Sequence, residues 1–212
     1  MEEYIKKVLE ILKLKRRVFY SEADLQFEFA WELHKILPKA EIRLERPVTI
    51  NNEVYYIDIW VNYEDKHYPI ELKYKTKSAA ISDFNKEEIH LANHGAVNLG
   101  CYAYIKDISR IEDIKEKDKK FGKGFAMMLT NEPIYYNQIN KNRHSSYQLF
   151  KIYNGREING VLVWEHTQTG NEFALKDKFP PLNLKGKYKI LWFDYAIDNH
   201  SPNFKYTITK IE

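Results

Sequence analysis

One cysteine, Cys101, is all that 212 residues contain, which excludes an intramolecular disulfide and a four-cysteine zinc site and fits a reducing compartment. No apolar run approaches the ~18–20 residues that span a bilayer. The opening Met1-Glu-Glu-Tyr-Ile-Lys-Lys lacks the apolar stretch and small-residue cleavage site of a secretory signal. The expectation is a cytoplasmic protein without a membrane partner. Charge of one sign is also scarce. A net +3 means that any recognition of a polyanion must come from local clusters, not from the field of the whole molecule. There is no repeat at a fixed period and no low-complexity tract. What is present is ordinary globular material, 44% hydrophobic and 30% charged, with an aromatic share of 15% that suits a β-rich core.

Ile5, Val8, Leu9 and Leu12 recur at helical spacing and predict an amphipathic helix over 2–16. Ser21, with Asp24 three residues later, is a good N-cap for a second helix that stops before Pro38. Residues 41–48 read as extended and lead into two strand-like runs. The polar stretch 78–87 reads as a crossing over the sheet. Helical spacing is expected from about 86 to 120, through Val97, Cys101, Ile105, Ile108 and Ile111, and ends in lysines before Gly122 and Gly124. Phe125 to Thr130 reads as a short buried strand, 137–146 as a polar loop, and 147–153, 161–166, 188–195 and 204–211 as further strands. The predicted fold class is α/β, a mixed central sheet flanked by helices. It forms a single domain with a core over about 18–130 and a β-rich extension over about 131–212.

Three charges interrupt the two apolar runs. Asp58 stands in Val54-Tyr-Tyr-Ile-Asp-Ile-Trp-Val61, and Glu71 and Lys73 stand in Tyr68-Pro-Ile-Glu-Leu-Lys-Tyr74. The polar run 62–67 between them makes a β-hairpin. Alternation puts Glu71 and Lys73 on one face, opposite Ile70, Leu72 and Tyr74. Isolated charges on a half-buried strand are costly, so two acids and a lysine converging from paired strands point to a divalent-metal site with a cation beside it.

The order helix, three strands, helix, strand, with an acid on the second strand and Glu-x-Lys on the third, resembles the PD-(D/E)xK phosphodiesterase superfamily, the restriction-endonuclease-like nucleases. The resemblance covers roughly 18–130 and departs where Ile57, not proline, precedes Asp58. It implies a Mg²⁺-dependent endonuclease or exonuclease acting on DNA, with Mn²⁺ as an alternative ion and hydroxide attacking phosphorus in line. By that resemblance Asp58 and Glu71 are metal ligands, the carbonyl of Leu72 is a further ligand, and Lys73 is the catalytic lysine. Magnesium's preference for hard oxygen ligands agrees with such a donor set. The alternatives are a catalytically inactive nuclease-like module that binds nucleic acid or a protein, and the same chemistry on RNA. Duplex cutters of this superfamily often dimerise, so a homodimer is a further expectation.

Glu22 lies three residues before Leu25, on the stripe Leu25, Phe29, Leu33 and Ile36, and is a candidate for the same site as a metal-binding acid. The competing reading places it there only because acids favour a helix N-terminus. Gln26 borders the stripe as a polar neighbour. Lys75 and Lys77 continue the face of Lys73, and Lys106 and Arg110 lie one turn apart on the long helix. With Lys141, Arg143 and His144 these are candidate phosphate contacts. His90 and His94 are four apart, but without a third ligand they read as a solvated helix face.

Overall fold

The structure is a computed structural model and describes residues 1–50, 52–82, 84, 86–138, 145–165, 178–196 and 203–212. Lys141, Arg143 and His144 lie outside the described residues. Helix α1 (Glu2–Lys15) buries Ile5, Val8, Leu9 and Leu12, the residues its period selects. Helix α2 (Glu22–Ile36) is capped by Ser21, whose side chain accepts from the Asp24 N–H at 3.1 Å.

Strand β1 (Glu41–Ile50) pairs antiparallel with β2 (Glu53–Tyr63), and β2 pairs antiparallel with β3 (Lys66–Lys75). The β2–β3 hairpin closes more tightly than its polar run suggested. Glu64 and Asp65 form a two-residue turn with φ of 51° and 57°, the left-handed pair that matches strand twist, so most of 62–67 is strand. A short ribbon follows, β4 (Ala79–Ser82) against β5 (Glu88–Leu91). Helix α3 occupies Val97–Lys117, not 86–120. Ile89 and Leu91 are buried on β5 at a period of two, which overrides the helical spacing expected there.

Strand β6 (Gly124–Thr130) then lies parallel to β3, and all seven of its residues are buried. After the short α4 (Pro133–Tyr136), residues 148–150 form a 3₁₀ turn where a strand was expected. Phe150 there packs on Tyr102 and Trp164, so its aromatic content serves tertiary packing and not a ladder. A ribbon of β7 (Glu157–Leu162) and β8 (Leu182–Lys189) follows, then β9 (Trp192–Ala196) and β10 (Phe204–Ile211).

The central sheet is mixed and six-stranded, in the order β1-β2-β3-β6-β10-β9. Its last two strands come from the part of the chain assigned to an extension, so the sheet extends past residue 130. Helices α1 and α2 cover one face around Phe29, Leu72 and Leu129. Helix α3 and the β7–β8 ribbon cover the other, around Ile108, Met128 and Leu184. No helix among the described residues is long and apolar enough to cross a membrane.

Candidate active site

Strands β2 and β3 stay paired only as far as Ile59 and Ile70, and beyond that point they separate. Strand β3 continues against β6 on its other side, so its opening edge from Glu71 onward must satisfy its N–H groups some other way. Two acids do so. Asp58, on the diverging strand, accepts from the Leu72 N–H at 2.6 Å, and Glu22, in the first turn of α2, accepts from the Tyr74 N–H at 2.6 Å. Gln26 sits one turn along and donates to the Asp58 carbonyl at 2.6 Å and to Glu45 at 2.7 Å, fixing the backbone that carries Asp58.

On the α3 side of β3, Glu71 is 1% exposed and its Oε1 takes Arg110 Nη1 at 2.5 Å. Lys73 Nζ donates to the Leu72 carbonyl at 2.9 Å and lies 2.9 Å from Asp107 Oδ2. That second approach is an ion pair without hydrogen-bond alignment. Asp107 is itself buried, and its other oxygen is 3.5 Å from Arg110. Asp58 and Glu71 lie across the gap from each other, near enough for each carboxyl to perturb the other.

The electrostatics record the crowding. Burial, then Asp107 and Asp58, push the Glu71 carboxyl up to about 9. Asp58 and Asp107 are also raised, first by burial and against the pull of Lys73. Burial would lower Lys73, but Asp107, Asp58, Glu22 and Glu71 together outweigh it and hold the ammonium well above its usual range. Four acids face two cations, so the cluster carries surplus negative charge when all are ionised.

The structure thus brings Asp58, Glu71, Lys73, Leu72 and Glu22 to one cleft, with Gln26 beneath it and Arg110 within it. The other candidates lie further out. Lys75 is half-buried beside His94, Lys77 is exposed with its backbone bonded to Asn131, and Lys106 is one turn before Arg110. None of these three lysines forms an ion pair among the described residues. His90 is on β5, and His94 is in the connector before α3 with Nδ1 2.9 Å from both Thr76 N and Oγ1, so the pair is not a helix face. Asp107 was missed. Its signal was available, because it is an acid three residues after Tyr104 and four before Ile111, inside the buried stripe of α3. Among the described residues, no three His, Cys, Asp or Glu side chains are arranged to hold a metal by themselves. No family model, curated protein or solved structure matches the chain.

Proposed function

We propose that this protein is a metal-dependent nuclease that hydrolyses phosphodiester bonds in DNA, built on a restriction-endonuclease-like core. The observation that carries the reading is the opening between β2 and β3, where Asp58, Glu71 and the Leu72 carbonyl face one another with Lys73 beside them. The order α2, β1, β2, β3, α3, β6, with β3 parallel to β6, supports the same core.

The donor set fits Mg²⁺ or Mn²⁺. Asp58, Glu71 and the Leu72 carbonyl would hold the ion through hard oxygen atoms, and the surplus of buried acids is the charge a divalent cation balances. Bound there, the ion would acidify an attacking water and neutralise charge on the phosphate. The chain's own groups do the rest. Glu71, which burial pushes up to about 9, would give up its proton to a bound cation, so the affinity should rise with pH. Lys73 stays charged and supplies a cation where negative charge grows on the phosphate oxygens. Asp107 holds that ammonium near the site from α3 by charge, and the Leu72 carbonyl orients it.

A second reading is an inactive module of the same build that holds nucleic acid or a protein. It is favoured by the engagement of Glu22 and Asp58 with backbone N–H groups and of Glu71 with Arg110. The deciding experiment incubates the protein with linear, circular and single-stranded DNA, and with RNA, in EDTA, Mg²⁺ or Mn²⁺, with Asp58→Asn as control. Cleavage that needs the metal and Asp58 supports the proposal. Salt-sensitive DNA binding without cleavage leaves the module. Cleavage of RNA alone moves the chemistry to RNA.

A further inference from the structure

Arg110 holds an unusual position. Its Nη1 contacts Glu71 at 2.5 Å, while Nε is buried without a hydrogen-bond partner among the described residues. Two other supports lie within reach of the guanidinium: Asp107 Oδ1 at 3.5 Å, and the Tyr55 ring, whose centroid is 4.8 Å from Cζ. A fully committed, part-buried arginine would use the buried part of its fork of donors. This one has a single strong bond, to the acid that a metal would need, and two places to go.

We infer that Arg110 is an internal stand-in for the metal, which leaves Glu71 when a divalent cation binds and then offers its charge to the substrate phosphate. The inference rests on the nuclease reading of the Asp58–Glu71 cleft. Three features support it. Glu71 is 1% exposed, so its carboxyl needs a donor from the chain whether neutral or ionised, and Arg110 keeps the empty cleft assembled. Asp107 already holds Lys73 and can take the displaced guanidinium without a large movement of α3. Tyr55 gives the planar group an aromatic face on the way out.

The test separates occupancy from plain attraction by measuring Arg110 under two conditions. Ca²⁺ binding is followed by calorimetry for the wild type, Arg110→Gln, Arg110→Lys and Asp58→Asn. DNA binding to a short duplex is measured in EDTA and in Ca²⁺, with the duplex checked for intactness. The expected result is Ca²⁺ binding to Arg110→Gln tighter by roughly tenfold, since a competing charge has gone. DNA affinity should fall several-fold in Arg110→Gln only when Ca²⁺ is present, with partial recovery in Arg110→Lys. An equal loss in EDTA and in Ca²⁺ overturns the inference and makes Arg110 an ordinary phosphate contact, with the nuclease reading intact. Unchanged or weaker Ca²⁺ binding by Arg110→Gln also overturns it. Absence of any Ca²⁺ binding that Asp58→Asn abolishes would remove the inference and the nuclease reading together.

Discussion

Lys73 serves two neighbours at once, and the two roles come apart by mutation. Its ammonium bonds the Leu72 carbonyl and neutralises buried Asp107. Lys73→Ala therefore leaves an interior acid with only the more distant Arg110 beside it, a loss of up to about 3–5 kcal/mol for a broken buried pair. Adding Asp107→Asn removes the stranded charge, so the double variant should recover most of that stability in urea titrations. On the nuclease proposal turnover should not recover, because the cation placed beside the phosphate is still missing, whereas DNA affinity should change little. Lys106→Ala, if that lysine touches phosphate at all, should by contrast cost only affinity and flatten its salt dependence. If the double variant regains both stability and single-turnover rate, Lys73 is a structural ion and not a catalytic one. The lysine and the two strand acids were legible because charge inside an apolar strand is conspicuous. Asp107 was not, because helices carry acids routinely and only the wheel of α3 reveals which one faces inward.

Helices α3 and α4 meet closely where α3 begins. A Cβ at Gly100 would stand 2.0 Å from the Tyr135 hydroxyl and 2.9 Å from its Cζ, and Tyr135 is 2% exposed with little room to yield. In an open helix Gly→Ala would add about 1 kcal/mol of stability. Here Gly100→Ala should lower the thermal midpoint, because the clash exceeds the propensity gain. The Tyr135 hydroxyl has no hydrogen-bond partner among the described residues, so Tyr135→Phe should be neutral or stabilising. The two changes together should be less damaging than Gly100→Ala alone. Additive effects would mean that the hydroxyl is not what the methyl group meets. In sequence Gly100 registered only as a weakness in a long helix, since its reason lies 35 positions away in α4. The same blindness to distance hid the place of β10. Its alternating pattern identified a strand, but nothing local showed that it would pair with β6 and complete the sheet. Residues 86–96 failed for a different reason, because a short period of two beside a strong helical pattern is easily absorbed into it.

At the scale of the whole molecule, the buried acids tie stability to pH in an uncommon direction. Most carboxylates of a folded protein are lowered by their partners, as Glu2 is by Lys6 and Lys210, and such groups weaken the fold only in acid. Glu71 does the reverse. Its folded value is raised from 4.5 to about 9, so between those limits the folded chain keeps a proton that the unfolded chain releases. Stability from this group is complete below about pH 4.5 and is lost as pH rises towards 9. Asp58 and Asp107 are shifted the same way and add to the slope, whereas Lys73, raised above its usual range, holds its charge across this window. Urea titrations in EDTA should therefore show the protein losing stability from pH 6 to pH 9. Glu71→Gln, which carries no titratable proton, should flatten that decline and be the more stable protein at pH 9. A divalent cation should oppose the decline in the wild type, since it binds the deprotonated acids and only the folded chain assembles them. It should do little for Glu71→Gln. Parallel slopes for the two proteins in EDTA would show that Glu71 is ionised throughout and fully compensated by Arg110, and the crowding that argues for a divalent cation in this cleft would lose its basis.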